Sequence, residues 1–135
     1  MKRQLILGLS IALLASLGGC GPTTEEKEKV QKLLQSANSW SAKGNYDQAI
    51  KDYSEAIRLD PGLAPAWNNR GLAYDNKGDY DQAIKDFSEA LRLDPGLANA
   101  WYHRGAAYKE LGDEAKAKAD ILKAEELEAK AKSKP

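Results

Sequence analysis

One stretch of this chain is nearly a copy of the next. Gly44 to Lys77 lies over Gly78 to Leu111 without a gap, and 24 of the 34 paired positions are identical. GNYDQAIKDYSEAIRLDPGLAPAW becomes GDYDQAIKDFSEALRLDPGLANAW. A supersecondary unit repeated at this period cannot bury its apolar face alone. It must stack on its neighbours, so the self-similarity limits the chain to a repeat architecture before any local reading is made.

The repeat unit is helical. In Tyr46 to Leu59, the residues Tyr46, Ala49, Ile50, Tyr53, Ala56 and Ile57 recur at three- and four-residue steps and share one face. Asp47, Lys51, Asp52, Glu55 and Arg58 are expected on the solvated face. Pro61 ends the helix, because the residue before a proline is pushed out of the α region, and Gly62 helps the turn. The same events recur at Tyr80 to Leu93, closed by Asp94-Pro95-Gly96. The partner helices are Ala64 to Asn76 and Ala98 to Glu110. Gly71 and Gly105 lie inside them, each costing about 1 kcal/mol against Ala, which implies close approach of a neighbouring helix. Thr23 and Glu26 have capping-box spacing and mark the start of a first helix. Asp113 to Lys132, with Ala117, Ile121, Leu122 and Ala124 as its apolar stripe, reads as a solvated cap with a frayed tail.

Composition removes many functions. In 135 residues there is one cysteine, Cys20, and one histidine, His103, so an intramolecular disulfide and a two-histidine metal site are excluded. The formal net charge is zero, which gives no electrostatic case for nucleic acid. Three Trp and six Tyr argue for a packed core. No GxSxG, P-loop or HExxH pattern occurs. We expect no enzyme, no cofactor and no metal.

The first residues read as an address. Lys2 and Arg3 precede Leu5 to Leu17, an apolar run too short for the roughly 20 residues a bilayer-spanning helix needs, and suited to a secretory signal peptide. Leu17-Gly18-Gly19-Cys20 resembles a bacterial lipobox. The resemblance implies that residues 1–19 are cleaved as a lipoprotein signal peptide and that Cys20 is lipidated, tying the chain to a membrane. The mature chain then loses Lys2 and Arg3, leaving 18 basic against 20 acidic side chains. The expected location is the bacterial cell envelope, with Gly21 favouring the periplasmic face of the outer membrane in a Gram-negative organism.

The repeats resemble the tetratricopeptide-repeat (TPR) family, whose pattern places Trp, Leu, Gly and Tyr in one helix and Ala, Phe, Ala and Pro in and after the next. Residues 64–97 supply Trp67, Arg70, Gly71, Tyr74, Ala83, Phe87, Ala90 and Pro95, departing only at Arg70. Residues 98–131 supply Trp101, Arg104, Gly105, Tyr108, Ala117, Ile121 and Ala124, with Ala129 replacing Pro. Residues 30–63 supply Leu33, Ser36, Ala37, Trp40, Ala49, Tyr53, Ala56 and Pro61. The resemblance implies an all-α, right-handed helix-turn-helix solenoid of three repeats. They follow a lipidated N-terminus at 20–29 and end in a frayed tail at 132–135. Arg70 and Arg104 are expected to lay their stems on the core with their heads in water.

The resemblance also implies a concave groove lined by the first helix of each pair, which takes a protein or peptide segment. Here that face is amide-rich, and Asn38, Asn68, Asn69, Asn76, Asn99, Tyr102 and His103 are the candidate binding residues. Family members that read a C-terminal carboxylate use a clamp of Lys, Asn and Arg. Asn38 and Asn69 fall at its Asn positions, while Leu34, Asn99 and His103 stand at its basic positions, leaving the clamp incomplete. The expected function is a membrane-anchored adaptor or assembly scaffold, with self-association through the solenoid ends as the alternative.

Overall fold

The protein is described by a computed structural model covering residues 21–134; the expected signal peptide at 1–19 and the expected lipidation at Cys20 lie outside the described residues. Six helices follow one another: α1 (Thr24–Ala42), α2 (Tyr46–Leu59), α3 (Ala64–Asn76), α4 (Tyr80–Leu93), α5 (Ala98–Glu110) and α6 (Glu114–Lys132). They form three antiparallel pairs, α1–α2, α3–α4 and α5–α6. Each pair also packs its second helix on the first helix of the next. The fold is therefore all-α, three stacked helix-turn-helix units. No helix among the described residues is long and apolar enough to cross a membrane.

Side-chain chemistry sets the helix ends. Thr23 and Glu26 form the capping box: the Glu26 N–H donates to Thr23 Oγ1 at 3.2 Å, and the Thr23 N–H donates to Glu26 Oε2 at 2.8 Å. Asn45, Asp79 and Asp113 cap α2, α4 and α6 by accepting from the N–H groups of Gln48, Gln82 and Lys116. Helices α3 and α5 have no side-chain cap. Their entry is held by the preceding loop instead. Asp60 and Asp94 each accept from the N–H two residues on, and the Trp67 and Trp101 indole N–H groups donate to the Pro61 and Pro95 carbonyls at 3.0 and 2.9 Å. Within each pair the turn passes through Gly44, Gly78 or Gly112 at φ near +80°, a conformation that costs other L-residues about 1–2 kcal/mol.

The core is built from small residues with one large buried ring in each of the first two repeats, and Ile121 at the equivalent position of the third. Ala37, Ala49, Ala56, Ala73, Ala83, Ala90, Ala100 and Ala107 are fully buried, and Tyr53 and Phe87 are the largest fully buried side chains. Gly71 is where α3 and α4 touch. A Cβ there would lie 2.8 Å from Phe87 Cε1, and one at Gly105 would lie 3.0 Å from the Ala117 carbonyl oxygen. The implied close approach is present at both glycines.

Several surface expectations are overturned. The Arg70 and Arg104 heads are turned inward instead of out to water, and Asp86 and Asp120 are buried. Each arginine meets the aspartate sixteen residues later in a two-pronged ion pair: Arg70 to Asp86 at 2.7 and 2.8 Å, Arg104 to Asp120 at 2.7 and 2.9 Å. Asp86 and Asp120 are 3% and 5% exposed. Asp52 is likewise half-buried, accepting from Ser36 Oγ at 2.6 Å. A second arm of each guanidinium reaches back one repeat, Arg70 to Ser54 Oγ and Arg104 to Ser88 Oγ, both at 3.0 Å. The guanidinium planes also cover Trp67 and Trp101 at 4.9 and 4.8 Å from the ring centroids. In α6, Leu122 is not part of the buried stripe but is 53% exposed.

Candidate protein-binding groove

The first helices α1, α3 and α5 lie side by side and touch directly, which makes one face of the stack a shallow groove. Between α1 and α3 it deepens into a niche of about 330 Å³ lined by Asn38, Ser41, Ala42, Tyr53, Asn69 and Leu72. Asn38 and Asn69 are thus brought together, as their repeat positions imply. The Tyr53 hydroxyl at the niche floor donates to Asn38 Oδ1 at 2.5 Å. Burial raises the Tyr53 pKa, with the Asn69 amide acting the other way, so the phenol is a neutral donor at physiological pH. Asn69 Oδ1 accepts from Asn68 Nδ2 at 3.3 Å. Both carbonyls are therefore occupied, and the Asn69 amide also acts on the Tyr53 hydroxyl, so among the described residues the NH₂ group left without a partner in the niche is that of Asn38. The niche offers donors without net charge.

Asn68 is placed differently from the expectation. It is 4% exposed, and its Oδ1 has no partner among the described residues. Its repeat position in the family resemblance put it in the groove, but the packing of α3 takes it below the surface, where its amide donates to Asn69. Asn76 is exposed and its NH₂ is turned back onto the Leu72 carbonyl at 2.8 Å. Asn99 and Tyr102 are exposed, Tyr102 by 52%.

Moving the niche by one 34-residue period gives Leu72, Asp75, Asn76, Phe87, His103 and Ala106 between α3 and α5. The chemistry changes. Phe87 replaces Tyr53 and stacks on His103 with ring centroids 6.0 Å apart; Tyr102 meets His103 edge-on at 5.6 Å. Burial lowers the His103 pKa, against the pull of Asp75. Burial raises the Asp75 pKa, with Glu110 adding to the rise and His103 opposing it. His103 is therefore neutral at physiological pH, and Asp75 and Glu110 leave this end of the groove without an excess of positive charge. Among the described residues no group of three or more His, Cys, Asp or Glu side chains is arranged to hold a metal ion.

Comparison with known proteins places this geometry. Residues 64–97 and 98–130 match the family described as tetratricopeptide repeat, and residues 41–78 match TPR repeat. The TPR domain of Sgt2 from Aspergillus fumigatus is 30% identical with a TM-score of 0.72, the match covering 81% of this chain and 70% of that one. The chain belongs to the tetratricopeptide-repeat family. The first TPR domain of Spaghetti, solved with the HSP90 peptide SRMEEVD, is 29% identical with a TM-score of 0.77, covering 82% of this chain and 86% of that one. A 53-residue stretch is 40% identical to the mouse serine/threonine-protein phosphatase 5, and this TPR chain spans 11% of the length of that relative.

Proposed function

We propose that this TPR chain is a membrane-tethered interaction module of the bacterial envelope, an adaptor or assembly scaffold rather than an enzyme, that holds a partner segment in its groove by hydrogen bonds to the segment's backbone. The observation that carries the reading is the niche between α1 and α3. Its Asn38 and Asn69 amides have their oxygens engaged, and the Asn38 N–H donors stay open. Such donors pair with peptide carbonyls of an extended chain. The Spaghetti domain holds an acidic peptide. In this chain Leu34, Asn99 and neutral His103 stand where cations would meet a C-terminal carboxylate, so the groove is suited to an internal, uncharged segment and not to an acidic terminus.

The test replaces Asn38, Asn69 and Asn99 together by Ala and leaves the bracing Asn68 in place. The variant keeps its helical content by circular dichroism and loses a partner captured by crosslinking from the native envelope. Retained capture by the folded variant would rule out the groove. In the same assay an SRMEEVD peptide does not compete with the partner.

The tether rests on the Leu17-Gly18-Gly19-Cys20 box. Multiple acyl chains on one residue give stable anchoring, since each buried CH₂ contributes about 0.8 kcal/mol. The Cys20→Ser variant takes up no radiolabelled fatty acid in cells and leaves the membrane fraction; continued labelling would refute the assignment. Gly21 after the cysteine favours the outer membrane if the organism is Gram-negative.

A further inference from the structure

Each interior junction of the stack uses the same column of residues on the second helix of a pair. On α2 the column is Ile50, Ser54 and Ile57; on α4 it is Ile84, Ser88 and Leu91. Ser54 and Ser88 receive the arginine of the next repeat, and Ile57 and Leu91 are 6% exposed beneath it. One period further, on α6, the column reads Lys118, Leu122 and Glu125. These three, with Lys109, Glu114, Ala117 and Ile121, line an open depression of about 310 Å³ on the end of the stack.

The substitutions are not those of a plain solvated cap. The outer positions turn from apolar to charged, while the central serine turns to leucine, leaving Leu122 53% exposed. The charged neighbours Lys116, Lys123, Glu126 and Lys130 all sit in ion pairs along or beside α6. Among the described residues Lys118 and Glu125 sit in none. Glu114, Glu128 and Lys132 on α6 are in no ion pair among the described residues either, but Lys118 and Glu125 are the open charges that lie one turn to either side of the exposed leucine.

We propose that this end face binds the same face of a second copy of the chain, with the two α6 helices antiparallel about a twofold axis that passes between Ile121 and Leu122. The register follows from the sequence. In an antiparallel pair centred there, residues equidistant from the centre stand level. Leu122 meets Ile121 of the second copy, and Lys118 meets Glu125, once on each side of the axis. The face is then complementary to itself, which a twofold interface requires. A head-to-tail stack lacks this match, because Leu122 would meet the outer face of α1, where Glu28, Lys32, Gln35 and Ser39 are exposed. The proposal does not depend on what the groove holds, since α6 is not one of the helices that line it.

Sedimentation of the full chain over a range of concentrations tests the assignment. The wild type forms a dimer. Lys118→Glu and Glu125→Lys each weaken it by about tenfold or more, because each change turns two attractive pairs into two repulsive ones. The double variant carrying both changes restores the dimer by rebuilding the pairs with their signs exchanged. Lys118 and Glu125 are exposed, so circular dichroism is unchanged throughout. A wild type that stays monomeric, association that ignores the single changes (as association through Leu5–Leu17 would), or single-variant losses that the double variant fails to rescue would each overturn the proposal. Binding of an unrelated helix to a monomeric chain at Leu122 would do so too.

Discussion

At Arg70 the chain departs from the family leucine, and the departure is matched elsewhere. The Arg70 side chain is 16% exposed and that of Asp86 4%, so the pair is held largely away from water. Taking two charges out of water is costly, and breaking such a pair by removing one partner destabilises by about 3–5 kcal/mol, because it strands a buried charge. Asp86→Ala should therefore cost about 3 kcal/mol in urea denaturation. Arg70→Leu combined with Asp86→Ala should recover most of that loss, since it removes both charges and restores the family residue. A double variant as unstable as the single one would mean that the Ser54 and Trp67 contacts, not the ion pair, give Arg70 its importance. This pairing was hidden from sequence reasoning. A helical wheel considers one helix at a time, and on α4 it puts Asp86 beside Lys85 on the polar side. The available signal was the repetition of Arg70 and Asp86 as Arg104 and Asp120, at the same separation of sixteen.

Helix boundaries, in contrast, were legible almost to the residue. The ends of α2, α3, α4 and α5 follow from local rules: an Asn or Asp cap, an Asp-Pro-Gly stop, a glycine at positive φ. The approach of one helix on the next was legible too, through Gly71 and Gly105. Its strength depends on the neighbour. At Gly71 the neighbour is the ring of Phe87, fully buried and without room to retreat. Gly71→Ala gains about 1 kcal/mol in helix propensity but forces α3 from α4, and overpacking of this kind costs about 1–3 kcal/mol. We expect a net loss, read as a lower thermal midpoint, with full recovery when Phe87 is shortened to Leu in the same chain. In α6 the difference lies in the apolar stripe, from which Leu122 is turned out to solvent.

The three-unit stack was legible in the sequence because periodicity is a property of the chain itself. The amide-rich groove was legible in outline, and Asn38 and Asn69 do meet in it. The burial of Asn68 and the Tyr53 floor were not, because they depend on how α2 and α3 lean together. The end face was out of reach for a similar reason: Leu122 looks like one more apolar residue of the stripe until Ala117 and Ala124 are seen to be buried and Leu122 is not. The arginines bear on how the whole stack comes apart. Each one ties its own pair of helices together and also grips a serine of the pair before it, so a pair cannot open without loosening its neighbour. The first pair alone has a serine, Ser36, where the other two have the arginine, and at that position a single short hydrogen bond to Asp52 replaces the buried two-pronged ion pair. Unzipping of the stack therefore has a preferred direction. It starts at the pair nearest Cys20 and runs outward, so that a pull transmitted through the N-terminus meets the weakest tooth first.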